Sequence, residues 1–340
     1  MRRYTSLLLF TVLFLLVWSA GSFYLASYAD DTSSKARKNL TLYTTLPVEH
    51  AAVLARAYEK MHPVALHFVP LSRKELVERL SQEPERADAV LADQETLQMA
   101  ARAGAFLPYV SESTDIVPQR FKDEQGAWVG VWYDPMVFCV NRDYLKSLPA
   151  VPAGWEELAA LGSARIGMTD FLAADAASNL LFTMIAERDE AWAFRLLSRM
   201  HPRVVQYAKF LGTPARMAGM GEVDVAVAVR SESVRYINDG FPIQLIYPKE
   251  GTAYMLTGAG VLKGTDEPAE ARQFIQWLLG DDVQTALQSE RFFFIPTNGE
   301  TLAYKSFSGK NLRLFTQHTD LNEAQKQGVL ERWVKNIRFQ

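Results

Sequence analysis

Hydroxyl and carboxylate side chains stand where two predicted strands end. Thr44 and Thr45 close an alternating run of apolar residues, and Asp93 closes a second apolar run. Pro47 suits the first turn of a helix, because it has no N–H to leave unpaired there. The free N–H groups and the dipole of a helix N-terminus attract anions and polar ligands. These residues therefore predict a site for a polar or anionic ligand, although a plain strand–turn–helix is the simpler interpretation of the stretch alone.

A second group of candidate ligand contacts lies farther along the chain. Ser178 and Asn179 follow a loop of small residues and open a predicted helix, where Ser178 serves equally well as the helix N-cap. Arg230 and Ser231 follow a very apolar predicted strand. An arginine beside a helix N-terminus is suited to bidentate capture of a carboxylate or phosphate, and the alternative is an ordinary surface arginine. Arg216 is a weaker version of the same idea.

Aromatic residues flank the two points at which the chain is expected to pass between lobes. Trp128, Trp132 and Tyr133 precede the first crossing, and Tyr254 follows the second. Such rings either form the wall of a ligand pocket or pack the hinge, and packing is the more common role. We keep Tyr133 and Tyr254 as candidate ligand contacts.

The elements that carry these residues alternate in type. From residue 40 to residue 103 the pattern predicts β-α-β-α-β-α, which implies a parallel sheet covered by helices. Strands predicted over 128–133 and 137–141 are separated by Asp134 and Pro135, and a second alternating series follows over 155–247. Ligands of such sheets bind outside the carboxyl ends of the strands. The prediction is an α/β protein of two lobes, each a mixed sheet flanked by helices, hinged by crossing strands.

The chain divides accordingly. We expect a signal peptide or uncleaved membrane anchor (1–29), a linker (30–39), lobe I (40–140 and 248–300), lobe II (141–247) and C-terminal helices packing on the lobes (301–340). Arg2 and Arg3 precede an uncharged stretch, residues 4–29, that is long enough to span a bilayer. The rest of the chain is therefore expected outside the cytoplasm.

Composition excludes several classes of function. The 340 residues are 49% hydrophobic and 22% charged, with a net charge of −3, which gives no electrostatic case for nucleic acid. The single cysteine, Cys139, excludes an internal disulfide and a cysteine metal cluster. No nucleophile elbow, phosphate-binding loop or zinc-protease motif occurs. We therefore expect no enzyme activity, no resident metal and no cofactor.

The order of these pieces resembles the bacterial extracellular solute-binding proteins of ABC importers, in the branch of ferric-iron and organophosphate binders. The resemblance covers residues 40–296 and is carried by segments 42–45, 87–91, 104–109, 128–141, 155–158, 221–223 and 247–251. It implies a two-lobed periplasmic-binding-protein fold of type II. Iron binders of this kind use two adjacent tyrosines soon after the position of Arg230, and here Tyr236 stands alone. Hydroxyls and arginine suit oxyanions better than ferric iron.

The resemblance implies a monomer in the periplasm, whose cleft takes a small organic anion such as a sugar phosphate, a phosphoglycerate-like acid or a carboxylate. An ABC permease of the inner membrane would receive the solute. One alternative is a membrane-anchored sensor that signals to a histidine kinase. A ferric-iron binder and an extracellular hydrolase are lesser alternatives.

Overall fold

The computed structural model describes residues 38–82, 86–148, 150–316 and 321–340. The predicted export segment, residues 1–29, lies outside these ranges. Within them, no helix is both long enough and apolar enough to cross a membrane. We use the names lobe I and lobe II for the residues assigned to them above, and this division remains a proposal.

Eleven strands are formed by the described residues. They are β1 (Lys38–Thr44), β2 (Val64–Pro70), β3 (Ala89–Asp93), β4 (Phe106–Leu107), β5 (Val129–Asn141), β6 (Ile166–Thr169), β7 (Val204–Ala208), β8 (Val225–Val229), β9 (Ile243–Ile246), β10 (Tyr254–Leu262) and β11 (Ile295–Pro296).

The α-helices lie between the strands and after them. They are α1 (Val48–Met61), α2 (Arg73–Gln82), α3 (Gln94–Arg102), α4 (Glu112–Asp115), α5 (Arg142–Ser147), α6 (Trp155–Ala160), α7 (Asp175–Glu187), α8 (Glu190–Met200), α9 (Gly212–Gly219), α10 (Arg230–Asn238), α11 (Pro268–Leu278), α12 (Asp281–Ser289), α13 (Leu302–Phe307) and α14 (Glu323–Trp333). A π-helical turn, Val334–Arg338, continues α14.

The strand order is β2-β1-β3-β10-β5-β8-β6-β7. In addition, β4 pairs with β10, and β9 and β11 each pair with β5. Pairing is parallel among β1, β2 and β3, and again among β6, β7 and β8. Strand β5 is antiparallel to both of its neighbours on this path. Its first half pairs with β10 and its second half with β8, so a single strand runs from one lobe into the other.

Strand β5 is continuous, whereas the sequence predicted two short strands separated by Asp134 and Pro135. That prediction was wrong. All of its residues are buried, and pairing with β10 continues through Asp134 to Pro135. Proline fits here because its φ suits extended backbone, and the next residue, Met136, continues the pairing by donating its N–H to the Ala253 carbonyl (2.9 Å). The hinge is therefore a continuous strand rather than a turn.

Apolar faces of the helices cover each half of the sheet. In lobe I, α1 places Leu54 and Tyr58 in the core, as its helical periodicity predicts. In lobe II, α7 contributes Leu181 to a separate core. That core also includes Trp333 of α14, so the C-terminal helix packs on this lobe. Helix α7 begins at Asp175, three residues before the predicted start at Ser178.

Candidate functional site

The carboxyl edges of the two parallel sheet halves face each other across a cleft. Arg73 is the first residue of α2, directly after β2, and Asp175 is the first residue of α7, after β6. The Arg73 Nη2 lies 3.6 Å from the Asp175 Oδ2. Since ligands of open α/β sheets bind outside the carboxyl ends of strands, the space between these edges is the candidate site.

The lobe I wall contains the predicted residues Thr44, Thr45 and Asp93. Thr44 is fully buried, and its Oγ1 donates to the Leu91 carbonyl (2.6 Å) and accepts from the Leu46 N–H (3.0 Å). Thr45 is half-buried, and its Oγ1 donates to Asp93 Oδ2 (3.3 Å) and accepts from the Asp93 N–H (3.2 Å). The Thr44 hydroxyl therefore holds the backbone at the end of β1 in place. Thr45 and Asp93 together form a polar group at the carboxyl edge of the lobe I sheet.

Asp93 is also the N-cap of α3. Its Oδ1 accepts from the backbone N–H of Thr96 (3.0 Å) and from Arg73 Nη2 (3.3 Å). Arg73 Nη1 lies 3.1 Å from Glu95 Oε2, and Glu95 Oε1 lies 2.5 Å from the ammonium of Lys326 on α14. Burial lowers the pKa of Arg73, but the nearby carboxylates outweigh burial and raise it overall. This group of charges joins lobe I, lobe II and the C-terminal helix on one side of the cleft.

Tyr133 and Tyr254 lie at the base of the cleft, where β5 pairs with the start of β10. Their ring centroids are 6.0 Å apart, and the Tyr133 ring stacks on Phe121 at 5.0 Å. Asn179 Nδ2 donates to the Tyr254 carbonyl (3.1 Å), which ties α7 to the hinge. Burial raises the pKa of both phenols, so they stay neutral. The structure thus brings three predicted residues together at the hinge.

Ser231 lies at the N-terminus of α10 and is held by Asp134 of β5. Asp134 Oδ1 accepts from the Ser231 N–H (2.9 Å), and Oδ2 accepts from the Ser231 hydroxyl (2.5 Å). Burial raises the pKa of Asp134 to about 6, although these hydrogen bonds and the charge of Arg230 act in the opposite direction. Sequence reasoning did not select Asp134, and the available signal was a carboxylate inside an apolar run.

Arg230 reaches from lobe II toward lobe I. Its Nη1 donates to the Phe293 carbonyl (2.7 Å), and its Nε donates to the Tyr247 hydroxyl (3.3 Å). The guanidinium also lies 4.9 Å from the centroid of the Phe307 ring. In the described part of the chain, no carboxylate forms an ion pair with Arg230. It is therefore a bridge between the lobes that keeps its positive charge.

Ser178 bonds within its own helix, and Arg216 is directed away from the candidate site. The Ser178 hydroxyl donates to the Asp175 carbonyl (3.1 Å) inside the first turns of α7. Arg216 Nη1 contacts Glu222 Oε1 at 3.3 Å, and Glu222 precedes β8, whereas Arg230 follows it. Arg216 is thus directed to the opposite edge of the sheet from Arg230, and the structure does not bring these two arginines together.

An open depression of about 490 Å³ lies at the carboxyl edge of lobe II. We call it the lobe II depression; its lining includes Ala174, Lys209, Phe210, Gly212, Thr213, Glu232 and Arg235. None of these residues was predicted from the sequence. The signal that could have found them is position, because Lys209 directly follows β7 and so lies at the edge where ligands bind.

Among the residues that the structure describes, no group of three or more His, Cys, Asp or Glu side chains is arranged to hold a metal ion. His50 packs against Phe292 instead, with ring centroids 4.1 Å apart, and burial lowers its pKa.

Comparison with known proteins gives matches in sequence and in structure. Residues 53–310 match the family model described as bacterial extracellular solute-binding protein. An uncharacterized protein of Haemophilus influenzae is 28% identical over 251 residues, which cover 71% of this chain and 72% of that protein. A probable ABC transporter periplasmic-binding protein of Sinorhizobium fredii, y4fP, is 25% identical over 277 residues, which cover 78% and 75%.

Solved structures are also similar to this chain, at lower sequence identity. The periplasmic binding protein AfuA of Actinobacillus pleuropneumoniae, with fructose-6-phosphate bound, has a TM-score of 0.68 at 22% identity, covering 90% of this chain and 100% of that one. Iron-bound HitA of Pseudomonas aeruginosa has a TM-score of 0.67 at 20% identity, covering 87% and 99%. At these identities the likeness concerns the fold.

Proposed function

Because the chain belongs to the family of bacterial extracellular solute-binding proteins, we propose that its cleft captures a small organic anion for delivery to an ABC permease. Solute binding for ABC transport, a small-molecule ligand, a permease partner and a location outside the cytoplasm follow from the family. The family match confirms the resemblance stated from the sequence, and the structural likenesses confirm the α/β periplasmic-binding-protein fold. The anionic nature of the solute is our proposal.

One observation supports an anion above all. The carboxyl edge of lobe II carries Arg230 and Lys209, and within the described ranges neither cation is paired with a carboxylate. Unpaired positive charge in a cleft between low-dielectric walls attracts anions and raises their local concentration. The alternative cargo, ferric iron, needs anionic oxygen ligands. AfuA is recorded with fructose-6-phosphate and HitA with iron, so relatives of the same fold support both classes.

Thermal unfolding of the full chain tests the proposal. We expect fructose-6-phosphate, 3-phosphoglycerate or citrate to raise the midpoint, because a ligand that binds only the folded state stabilises it by mass action. Fructose and glycerol are matched uncharged controls and are expected to leave the midpoint unchanged. A shift with ferric chloride alone, and with none of the organic anions, would overturn the anion proposal and leave family membership untouched.

The remaining expectations on partners and location are proposals as well. We propose that the protein acts as a monomer, and light scattering during gel filtration measures this directly. The sensor alternative requires the uncharged segment 4–29 to be retained as an anchor. Intact mass of the exported protein separates the two roles, since loss of residues 1–29 excludes the anchored form.

A further inference from the structure

We propose that the lobe II depression is the seat of a phosphate group, and that the ligand is the phosphate ester of a ring compound. In this arrangement Lys209 and Arg235 hold the phosphate, and Phe210 contacts the ring. The inference rests on the proposed function, because it names the anionic group and the side chains that hold it.

The depression lies where a ligand is expected. Its walls come from the segments that directly follow β6 and β7, and from the first turns of α10, which follows β8. These are the carboxyl ends of the three parallel strands of lobe II, on the edge that faces Arg73 and lobe I. A volume of about 490 Å³ is within the range of small-molecule sites.

The charge of the depression favours an anion. The Lys209 ammonium has no carboxylate partner in the ranges described, and it lies 5.6 Å from the centroid of the neighbouring Phe210 ring. Arg235 is paired with Glu232 at 2.5 Å, so the lining keeps one positive charge in excess. The Thr213 hydroxyl and the N-terminal end of α9 add donors beside these cations. A phosphate group offers three oxygens to such a set of donors.

The exposed ring of Phe210 indicates that the ligand carries a ring of its own. Its side chain is 67% exposed at the mouth of the depression, although a large apolar ring is normally buried. An exposed aromatic face beside a cation can stack on a sugar or a planar heterocycle while the phosphate is held next to it. Inorganic phosphate would use the cations but not this ring.

Gly212 limits the shape of the site. A side chain at this position would collide with the Glu232 carboxylate, which lies over the Gly212 backbone. Glycine therefore leaves room for the ion pair of Glu232 with Arg235 in the lining of the depression. Glu232 orients the Arg235 guanidinium and also offsets its positive charge. Lys209 is therefore the main cation of the site.

Isothermal titration of the full chain with fructose-6-phosphate and with inorganic phosphate tests the assignment. We expect Lys209→Met to raise both dissociation constants by roughly tenfold or more, the effect of losing a charged hydrogen bond, and Lys209→Arg to restore most of the affinity. Phe210→Ala is expected to weaken binding of the sugar phosphate and not of inorganic phosphate.

Lys146→Met is the matched control. Lys146 is an exposed lysine of α5, which follows β5, and β5 is antiparallel to β8, so it lies at the opposite edge of the sheet. Unchanged affinity of Lys209→Met, or an equal loss in Lys146→Met, overturns the inference while the proposed function stands. Absence of phosphate binding by the wild type overturns it also, and citrate binding in the thermal assay would still support an organic anion as cargo.

Discussion

Replacement of Asp134 with asparagine probes the strand that joins the lobes. The Asp134 carboxylate is buried in β5, and its two oxygens accept hydrogen bonds from the backbone and hydroxyl of Ser231. Burial raises its pKa from 3.8 to about 6, and Ser231 and Arg230 offset only part of that rise. At about 1.4 kcal/mol for each pKa unit, the change corresponds to about 3 kcal/mol of stability.

The sign follows from proton binding. The folded protein holds the Asp134 proton more tightly than the unfolded chain does, so this group lowers wild-type stability as the pH rises from about 4 to about 6. Asparagine keeps an acceptor for the Ser231 N–H and does not ionise. Relative to the wild type, Asp134→Asn is therefore expected to gain up to about 3 kcal/mol in unfolding free energy between about pH 4 and about pH 7.

Urea denaturation of both proteins over this pH range, followed by tryptophan fluorescence, measures the difference. Contributions from other titrating groups cancel because both proteins share them. Asp143→Asn is the matched control, since Asp143 is an exposed carboxylate on α5, and a change within about 0.5 kcal/mol is expected. Two results would refute the reasoning: a difference in unfolding free energy between Asp134→Asn and the wild type that does not vary with pH, or a less stable Asp134→Asn above about pH 6. Either would show that hydrogen bonding to the carboxylate outweighs its burial.

Three further substitutions follow from the contacts described. Arg230→Ala is expected to weaken ligand binding by about 1.5–3 kcal/mol in isothermal titration, because it removes a charged bridge between the lobes, and unchanged affinity would identify an ordinary surface arginine. Burial lowers the pKa of His50, so this residue destabilises the fold as the pH falls below about 6.5. His50→Leu should abolish that loss of unfolding free energy. A pKa above the usual value in an NMR titration of the His50 ring would contradict this prediction. Lys326→Met breaks the ion pair with Glu95 and should lower the unfolding free energy by about 1 kcal/mol, more than the exposed control Lys305→Met; equal effects would argue against a special role.

The order of strands and helices was predictable because its signals are local. Apolar periodicity and helix-starting residues are sufficient to predict the β-α-β-α-β-α unit of lobe I. The break predicted at Pro135 was wrong for the same reason, since the signal of proline is local whereas β10, which keeps the strand extended, lies far along the chain. Local patterns do not report where a distant strand pairs.

The candidate site was less accessible from the sequence. Arg216 and Arg230 each lie in or at the start of a helix, yet one is directed to Glu222 and the other to a carbonyl of Phe293 in the opposite lobe. Lys209 resembles any surface lysine after a short strand. Its value as a candidate depends on the absence of an ion pair with any carboxylate of the described structure, which only the tertiary arrangement reveals. The role of the predicted contacts in ligand binding stays a prediction.

The position of β10 also has a consequence for the time at which the protein folds. This strand lies between β3 and β5, yet it follows all of lobe II in the sequence. A chain that emerges N-terminus first therefore exposes the apolar edge of β3 until residues 254–262 arrive, and such an edge pairs readily with other chains. Pairing across so long a separation is also slow. The first lobe to be synthesised is thus the last to be completed, and until then the open edge of β3 is the segment that most needs protection.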